Sequence, residues 1–144
     1  MLINKVGFDF LEEYVGNDFE IVFLLEYNPA LKPGINIVLG YTENEKEEKN
    51  YFILFKHNFG RTKKIEIAAA DGQYIEKILR SGRISIMPPE EFGLDGHSYM
   101  FTFFNNGNFA QYRWWGDPDE NWSLFGEVAD IVFKYIKNSD GYER

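Results

Sequence analysis

The feature that most constrains the fold is an Asn-Gly dipeptide, Asn106-Gly107, flanked on both sides by segments rich in aromatic residues. Asn-Gly is the dipeptide best suited to a type I′ turn, because both central residues of that turn need a positive φ. A two-residue loop also fixes how the flanking strands pair, and Tyr99 then faces Trp114. The segment Ser98–Trp115 is therefore predicted to be a β-hairpin with one definite register.

This register divides the hairpin into two chemically different faces. Strand side chains alternate between faces, so Tyr99, Phe101 and Trp114 fall on one continuous apolar face. The opposite face is mixed in character and combines aromatic, polar and cationic side chains. Its members are Ser98, Met100, Thr102, Phe104, Phe109, Gln111, Arg113 and Trp115.

A long amphipathic helix is predicted after the hairpin. The segment Asp117–Glu120 contains a Pro and reads as a helix start with Asp117 as the cap. Apolar residues then recur at helical spacing from Trp122 to Ile136, which gives the helix one apolar stripe. Such a stripe is typical of a helix that packs on a sheet.

The rest of the chain predicts further strands joined by turns. Phe19, Ile21 and Phe23 alternate with polar or smaller residues and are expected on one face of the first strand. The order of elements predicts a single α+β domain over residues 1–144, with a curved antiparallel sheet of about five to seven strands. The C-terminal helix packs on one face, and short helices are expected near residues 8–15 and 72–80, the second capped by Asp71. Whether the sheet is open or curls into a barrel stays undecided.

Composition excludes several classes of function. The chain has 15 basic and 23 acidic residues, a formal net charge of −8, which disfavours binding to the phosphates of nucleic acid. It has no cysteine, so disulfides and thiolate chemistry are excluded. No apolar run is long enough to predict a membrane span, and a cytoplasmic protein without membrane contact is expected.

The sequence offers little catalytic chemistry. Its two histidines, His57 and His97, do not have the spacing of a metal pair. An enzyme is the less favoured alternative, and it would use Asp95 and His97 with Glu90 or Glu91. The competing interpretation is that Asp95-Gly96 forms a turn and that His97 only enters a strand. The absence of a nucleophile elbow and of a glycine-rich phosphate loop disfavours an enzyme without deciding the question, and no cofactor or metal ion is expected.

Binding is better supported, and the mixed face of the hairpin is the predicted contact surface. Its nominated residues are Met100, Gln111, Arg113 and Trp115, because Met, Arg and Trp are enriched in protein interfaces. In one alternative this face is buried, with the N-terminal helix covering it. In another, the chain binds a small ligand in an aromatic pocket near Trp114, Trp115 and Trp122. A homodimer through a sheet edge or the Trp115 face also stays open.

The segment Leu94–Ile136 resembles a layout found in small uncharacterised bacterial proteins. The resemblance rests on Leu94–Tyr99, on a hairpin that ends in Trp114-Trp115, and on an acidic, Pro-bearing turn before Trp122. Some of those proteins are suspected to be immunity factors that bind and block a toxin of a polymorphic toxin system. The resemblance implies a stoichiometric inhibitor of a basic toxin such as a nuclease.

The acidic composition agrees with such a partner. Two acidic segments, Thr42–Asn50 and Asp117–Glu120, are expected to meet a basic cleft and to make association fast and sensitive to salt. The competing interpretation is that these charges only keep the protein soluble.

Overall fold

The structure, a computed structural model, describes residues 9–13, 18–88 and 96–144. A 3₁₀ helix, Asp9–Glu13, precedes the sheet, and a second one, Glu120–Trp122, precedes the C-terminal helix. The strands and α-helices are β1 (Phe19–Asn28), β2 (Ile35–Glu43), β3 (Lys49–His57), β4 (Lys63–Glu66), α1 (Ala69–Ser81), β5 (Ser98–Asn105), β6 (Asn108–Trp115) and α2 (Ser123–Asp140).

In the described ranges, the strands form one open antiparallel sheet of six strands in the order β4-β3-β2-β1-β5-β6. The predicted α+β class is confirmed, and the sheet does not close into a barrel-like curl. The 3₁₀ helix Asp9–Glu13 lies within the first predicted helix, and the remainder of that span, residues 8 and 14–15, lies outside the described residues. No described helix has both the length and the apolar character that a membrane crossing requires.

The hairpin has the predicted register. Tyr99 pairs with Trp114, and the two-residue loop is closed by Asn105 and Asn108. Asn106 and Gly107 have φ values of 47° and 84°, as a type I′ turn requires. A local signal was sufficient here because the turn and the alternation of side chains favour the same pairing.

The predicted single face of β1 is wrong at its start. A β-bulge interrupts the pairing with β2 between Ile21 and Phe23. An extra residue reverses the alternation, so Phe19 and Ile21 lie on the opposite face from Phe23 and Leu25. The bulge therefore supplies apolar side chains to both faces of the sheet.

The main core lies between the sheet and the two α-helices. Phe125 of α2 packs on the hairpin, with its ring 5.1 Å from the ring of Phe101 and 5.2 Å from that of Trp114. Ile75 of α1 is fully buried in the same core. The largest fully buried aromatic side chains there are Tyr27, Tyr51, Phe23, Phe55 and Phe101.

Within the part of the chain that the structure describes, the N-terminal 3₁₀ helix covers the second face of the sheet at β1, β2 and β3 only. Phe10 and Leu11 of the N-terminal 3₁₀ helix pack on Leu24, Val38 and Leu54 of the three central strands. This smaller core is built by β1, β2 and β3. On the adjoining part of the same face, on β5 and β6, Thr102 is buried and the other side chains are exposed or half-buried.

Two predicted helix caps are not used. Asp119 takes the place of Asp117, because its carboxylate accepts hydrogen bonds from the backbone N–H groups of Asn121 and Trp122. Helix α1 begins at Ala69, two residues before Asp71, and no described side chain caps it. The carboxylate of Asp71 instead accepts a hydrogen bond from the phenol of Tyr135 on α2. A short-range pattern located these helices, but long-range packing determined where they begin.

Candidate protein-binding surface

The side chains of β5 and β6 that point away from α2 form the surface that we call the hairpin face. The four nominated residues all lie on it: Met100 and Trp115 are half-buried, whereas Gln111 and Arg113 are exposed. The structure therefore brings the predicted contact residues together. The whole hairpin face consists of Ser98, Met100, Thr102, Phe104, Phe109, Gln111, Arg113 and Trp115.

Cross-strand contacts order the polar side chains of the hairpin face. Arg113 lies opposite Met100, and its Nε donates to the Met100 Sδ at 3.4 Å. Gln111 lies opposite Thr102, and its Nε2 donates to the Thr102 Oγ1 at 3.2 Å. These contacts hold two long side chains against the sheet, which lowers the entropy that they would lose on binding.

Trp115 ends the hairpin face next to a glycine. A Cβ at Gly96 would lie 2.9 Å from the Trp115 Nε1, so the indole is packed directly on the backbone there. The Nε1 atom is buried and has no hydrogen-bond partner among the described residues. Trp115 therefore contributes a fixed apolar surface at this end of the face.

Phe109 is the most exposed aromatic residue of the hairpin face. It retains 68% of its accessible surface, although its ring lies 6.4 Å from that of Phe104. Phe104 is half-buried and packs against the second core. In one alternative the N-terminal helix buries this face. That helix, through Phe10 and Leu11, packs on β1, β2 and β3, and Phe109 on β6 stays largely in water. A large apolar side chain in water on the same face as Met and Arg side chains is a feature of contact surfaces.

The three tryptophans of the alternative pocket do not share one site. Trp114 and Trp122 are buried in the main core, where both pack on Phe125. The Trp122 Nε1 donates to the backbone oxygen of Ser85 at 3.0 Å. Trp115 lies on the opposite face of the sheet, so no small ligand could contact all three indoles at once.

The alternative catalytic cluster is only partly described. His97 is exposed, its backbone oxygen accepts from the N–H of Gly116 at 2.8 Å, and its ring lies 5.7 Å from that of Tyr27. Glu90, Glu91 and Asp95 lie outside the described residues, so the cluster stays a prediction. Within the described residues, no group of three or more His, Asp or Glu side chains could hold a metal ion.

The structure shows a buried charge network that sequence reasoning missed. Glu76 on α1 is only 9% exposed, and its carboxylate accepts hydrogen bonds from the phenol of Tyr51 and, at 3.1 Å, from the Lys49 Nζ. The guanidinium of Arg80 lies 3.7 Å away on the same helix. Burial, followed by the hydrogen bond to Glu76, raises the pKa of Tyr51. The amphipathic pattern of α1 was the only signal available, and it does not reveal partners on β3.

A second polar cluster joins the end of α2 to the β3–β4 turn. The Asp140 Oδ2 accepts from the His57 Nε2 at 2.7 Å and from the Lys63 Nζ at 3.0 Å. Burial alone would raise the pKa of Asp140, but hydrogen bonds from His57, Lys63 and the N–H of Tyr142 outweigh burial and lower it. His57 ends β3 and Lys63 begins β4, and both donate to the carboxylate of Asp140 at the end of α2. The cluster therefore anchors the C-terminal end of α2 to the sheet.

The two acidic segments lie at opposite ends of the sheet. The β2–β3 loop is at the end where β1 begins, since Phe19 pairs with Thr42, whereas Asp117–Glu120 follows the far end of β6. Strands of this length separate the two by about 25 Å. The β2–β3 loop is an ordered turn, in which the Asn44 Oδ1 accepts from the N–H groups of Lys46 and Glu48 at 2.9 Å each. Of the two acidic segments, the β2–β3 loop is the one that lies at the same end of the sheet as the hairpin tip.

Comparison with protein-family models gives no match, and comparison with curated proteins gives none at a significant level. Function must therefore be inferred from the residues of this chain. They define an α+β domain in which an edge hairpin presents one ordered, partly apolar face to solvent.

Proposed function

We propose that the protein is a non-catalytic protein-binding module that contacts its partner through the hairpin face. The observation that carries the proposal is the exposure of Phe109 on the same strand face as the ordered Gln111 and Arg113 side chains. Aromatic residues, Met and Arg are enriched in protein interfaces, and a few residues of such interfaces carry most of the binding energy. A partner that covered this face would remove the exposed Phe109 ring from water.

The partner that we propose is a basic protein. The chain has a formal net charge of −8, and the acidic β2–β3 loop lies at the same end of the sheet as the hairpin tip. Such a charge distribution accelerates encounter with a basic surface and makes association weaken as salt is added. The hairpin face supplies packing, while the acidic end steers the approach.

An immunity-type role is the most specific form of this proposal. The resemblance of Leu94–Ile136 to suspected immunity factors implies a toxin as partner, and a basic nuclease fits the acidic charge. An inhibitor needs only a stable contact surface, so a domain whose polar clusters anchor its own helices meets that requirement. His57 and Glu76 both belong to such clusters.

The experiment is affinity capture from a lysate of the source organism with the purified protein as bait. We expect one stoichiometric basic partner at low salt, retained less well at moderate salt. The double variant Phe109→Ser, Arg113→Ala should lower affinity for that partner at least about tenfold, which corresponds to about 1.4 kcal/mol.

The matched control is Phe59→Ser, Arg61→Ala in the β3–β4 turn. Phe59 is 94% exposed and Arg61 is also exposed, so the two double variants make the same chemical change at different places. The control should bind within about twofold of the unaltered protein, because surface substitutions outside an interface have small effects. Equal loss in both variants, capture of a second copy only, or no stoichiometric partner would each contradict the proposal.

A further inference from the structure

We infer that a pocket beside the hairpin tip receives an arginine side chain of the basic partner. This inference rests on the proposed function and names the chemistry of the partner's anchor. The pocket has a volume of about 190 Å³ and lies between the start of β1, the hairpin tip and α1.

The walls of the pocket are amphipathic. Ile21, Val22 and Phe103 supply apolar surface, and carboxylates from Glu20 and Glu76 lie around it. Arg and Lys side chains have the matching composition, since their methylene stems bury against apolar surface while their charged heads stay near polar groups. An acidic side chain would be repelled by the two carboxylates, and a purely apolar side chain would leave them without a partner.

The charges around the pocket leave Glu20 to accept the cation. Glu76 already pairs with Lys49 at 3.1 Å and with Arg80 at 3.7 Å. Among the residues that the structure describes, no ion pair involves Glu20, whose side chain is exposed. Arg80 pairs with Glu76 on the same helix, so the charge of Glu76 is already compensated. Glu20 is therefore the carboxylate of this pocket that a partner's cation can pair with.

The lining favours arginine over lysine. Asn105 and Asn106 line the pocket together with Glu20, so a guanidinium entering it would meet amide and carboxylate acceptors. Its five donors can satisfy several acceptors at once, whereas an ammonium is a point charge. The same turn also ends the hairpin face, so a partner that covers Phe109 can reach the pocket around the tip.

The test is a titration of ¹⁵N-labelled protein with N-acetyl-arginine amide, followed by the backbone amide signals. We expect saturable shifts at residues 20–22 and 105–107, and weaker shifts with the uncharged probe N-acetyl-norleucine amide. Glu20→Gln should raise the Kd of the arginine probe about threefold to fivefold, the effect of losing one exposed ion pair. The matched control Glu45→Gln, in the β2–β3 loop, should leave the Kd unchanged.

Non-saturating shifts spread over all acidic segments, or equal effects of Glu20→Gln and Glu45→Gln, would overturn the pocket assignment. The proposed function would still stand in that case if the Phe109→Ser, Arg113→Ala variant lost affinity for the partner. Conversely, saturable binding at the pocket combined with normal partner capture by that variant would contradict the proposed function alone.

Discussion

The phenol of Tyr51 on β3 donates a hydrogen bond to the carboxylate of Glu76 on α1, and this contact ties the helix to the sheet. Tyr51 is fully buried and Glu76 nearly so. Lys49 adds a second donor to the same carboxylate at 3.1 Å. A charge buried at this depth depends on each of its donors, because it has lost the water that would otherwise solvate it.

Tyr51→Phe should therefore lower the free energy of unfolding by about 1.5–3 kcal/mol, the usual cost of losing a hydrogen bond to a charged group. Tyr41→Phe is the matched control, because Tyr41 packs beside Tyr51 at 5.7 Å and no described residue hydrogen-bonds its phenol. Urea unfolding of both variants is the measurement. An equal loss in the two would show that ring packing, and not the hydrogen bond, stabilises this contact.

Gly72→Ala should destabilise the protein although it lies within α1. A Cβ at position 72 would lie 2.2 Å from a ring carbon of Tyr51, so the helix can approach the sheet only with glycine there. The usual gain of about 1 kcal/mol for Ala over Gly in a helix should be reversed into a net loss of about 1–3 kcal/mol.

Gly126→Ala in α2 is the control for this substitution. Its nearest contact would be the Cγ of Pro118 at 3.2 Å, which a small shift relieves. Thermal unfolding should place this variant within about 1 kcal/mol of the unaltered protein. If Gly72→Ala proved as stable as Gly126→Ala, the close packing of α1 on Tyr51 would be wrong.

Alkaline pH should destabilise the fold through buried tyrosines. Burial, and next the neighbouring Tyr99, raises the pKa of Tyr27 from 10.0 to about 12. Above pH 10.0 the unfolded chain therefore releases a proton that folded Tyr27 retains. Stability should be fully present below pH 10.0 and should fall as the pH rises toward 12.

Urea unfolding at a series of alkaline pH values measures this effect, and Tyr27→Phe should flatten the fall. If stability fell with rising pH as steeply in Tyr27→Phe as in the unaltered protein, ionisation of Tyr27 would not be the cause of the fall.

Acidic pH should weaken the anchor at the end of α2. The pKa of Asp140 lies below its ordinary value of 3.8, so the folded chain keeps the carboxylate charged where the unfolded chain takes up a proton. This stabilising contribution is present above pH 3.8 and is lost as the pH falls through the folded pKa.

Asp140→Asn should lower stability at neutral pH and should reduce the acid dependence. Lys63 and His57 would then face a neutral amide in place of a carboxylate. Glu66→Gln, an exposed carboxylate change on β4, should keep the acid dependence of the unaltered protein. Identical acid profiles for Asp140→Asn and the unaltered protein would contradict the role of this cluster.

Local signals explain what the sequence could predict. Asn106-Gly107 determined the register of the hairpin, and helical spacing located α2 between Trp122 and Ile136. The position of β1 between β2 and β5 could not be read from the sequence, because that pairing joins strands far apart in the chain. Likewise, the bulge after Ile21 leaves no mark in a simple alternation.

The candidate surface was predictable in composition but not in exposure. Alternation alone placed Met100, Gln111, Arg113 and Trp115 on one face. Whether that face was covered depended on where Phe10 and Leu11 pack, which is a long-range contact with Leu24 and its neighbours. The Glu76 network was missed for the same reason, since Tyr51 and Glu76 meet only after α1 has packed on β3.

The most direct test of the hairpin face is amide hydrogen exchange of the protein alone and in complex with the basic partner recovered by capture. We predict that binding slows exchange most strongly in Ser98–Trp115, with the largest effect around Phe109. The exposed side of α2, around Lys134, should exchange unchanged. Protection confined to α2 or to the β3–β4 turn, with exchange in Ser98–Trp115 unaffected, would contradict the account.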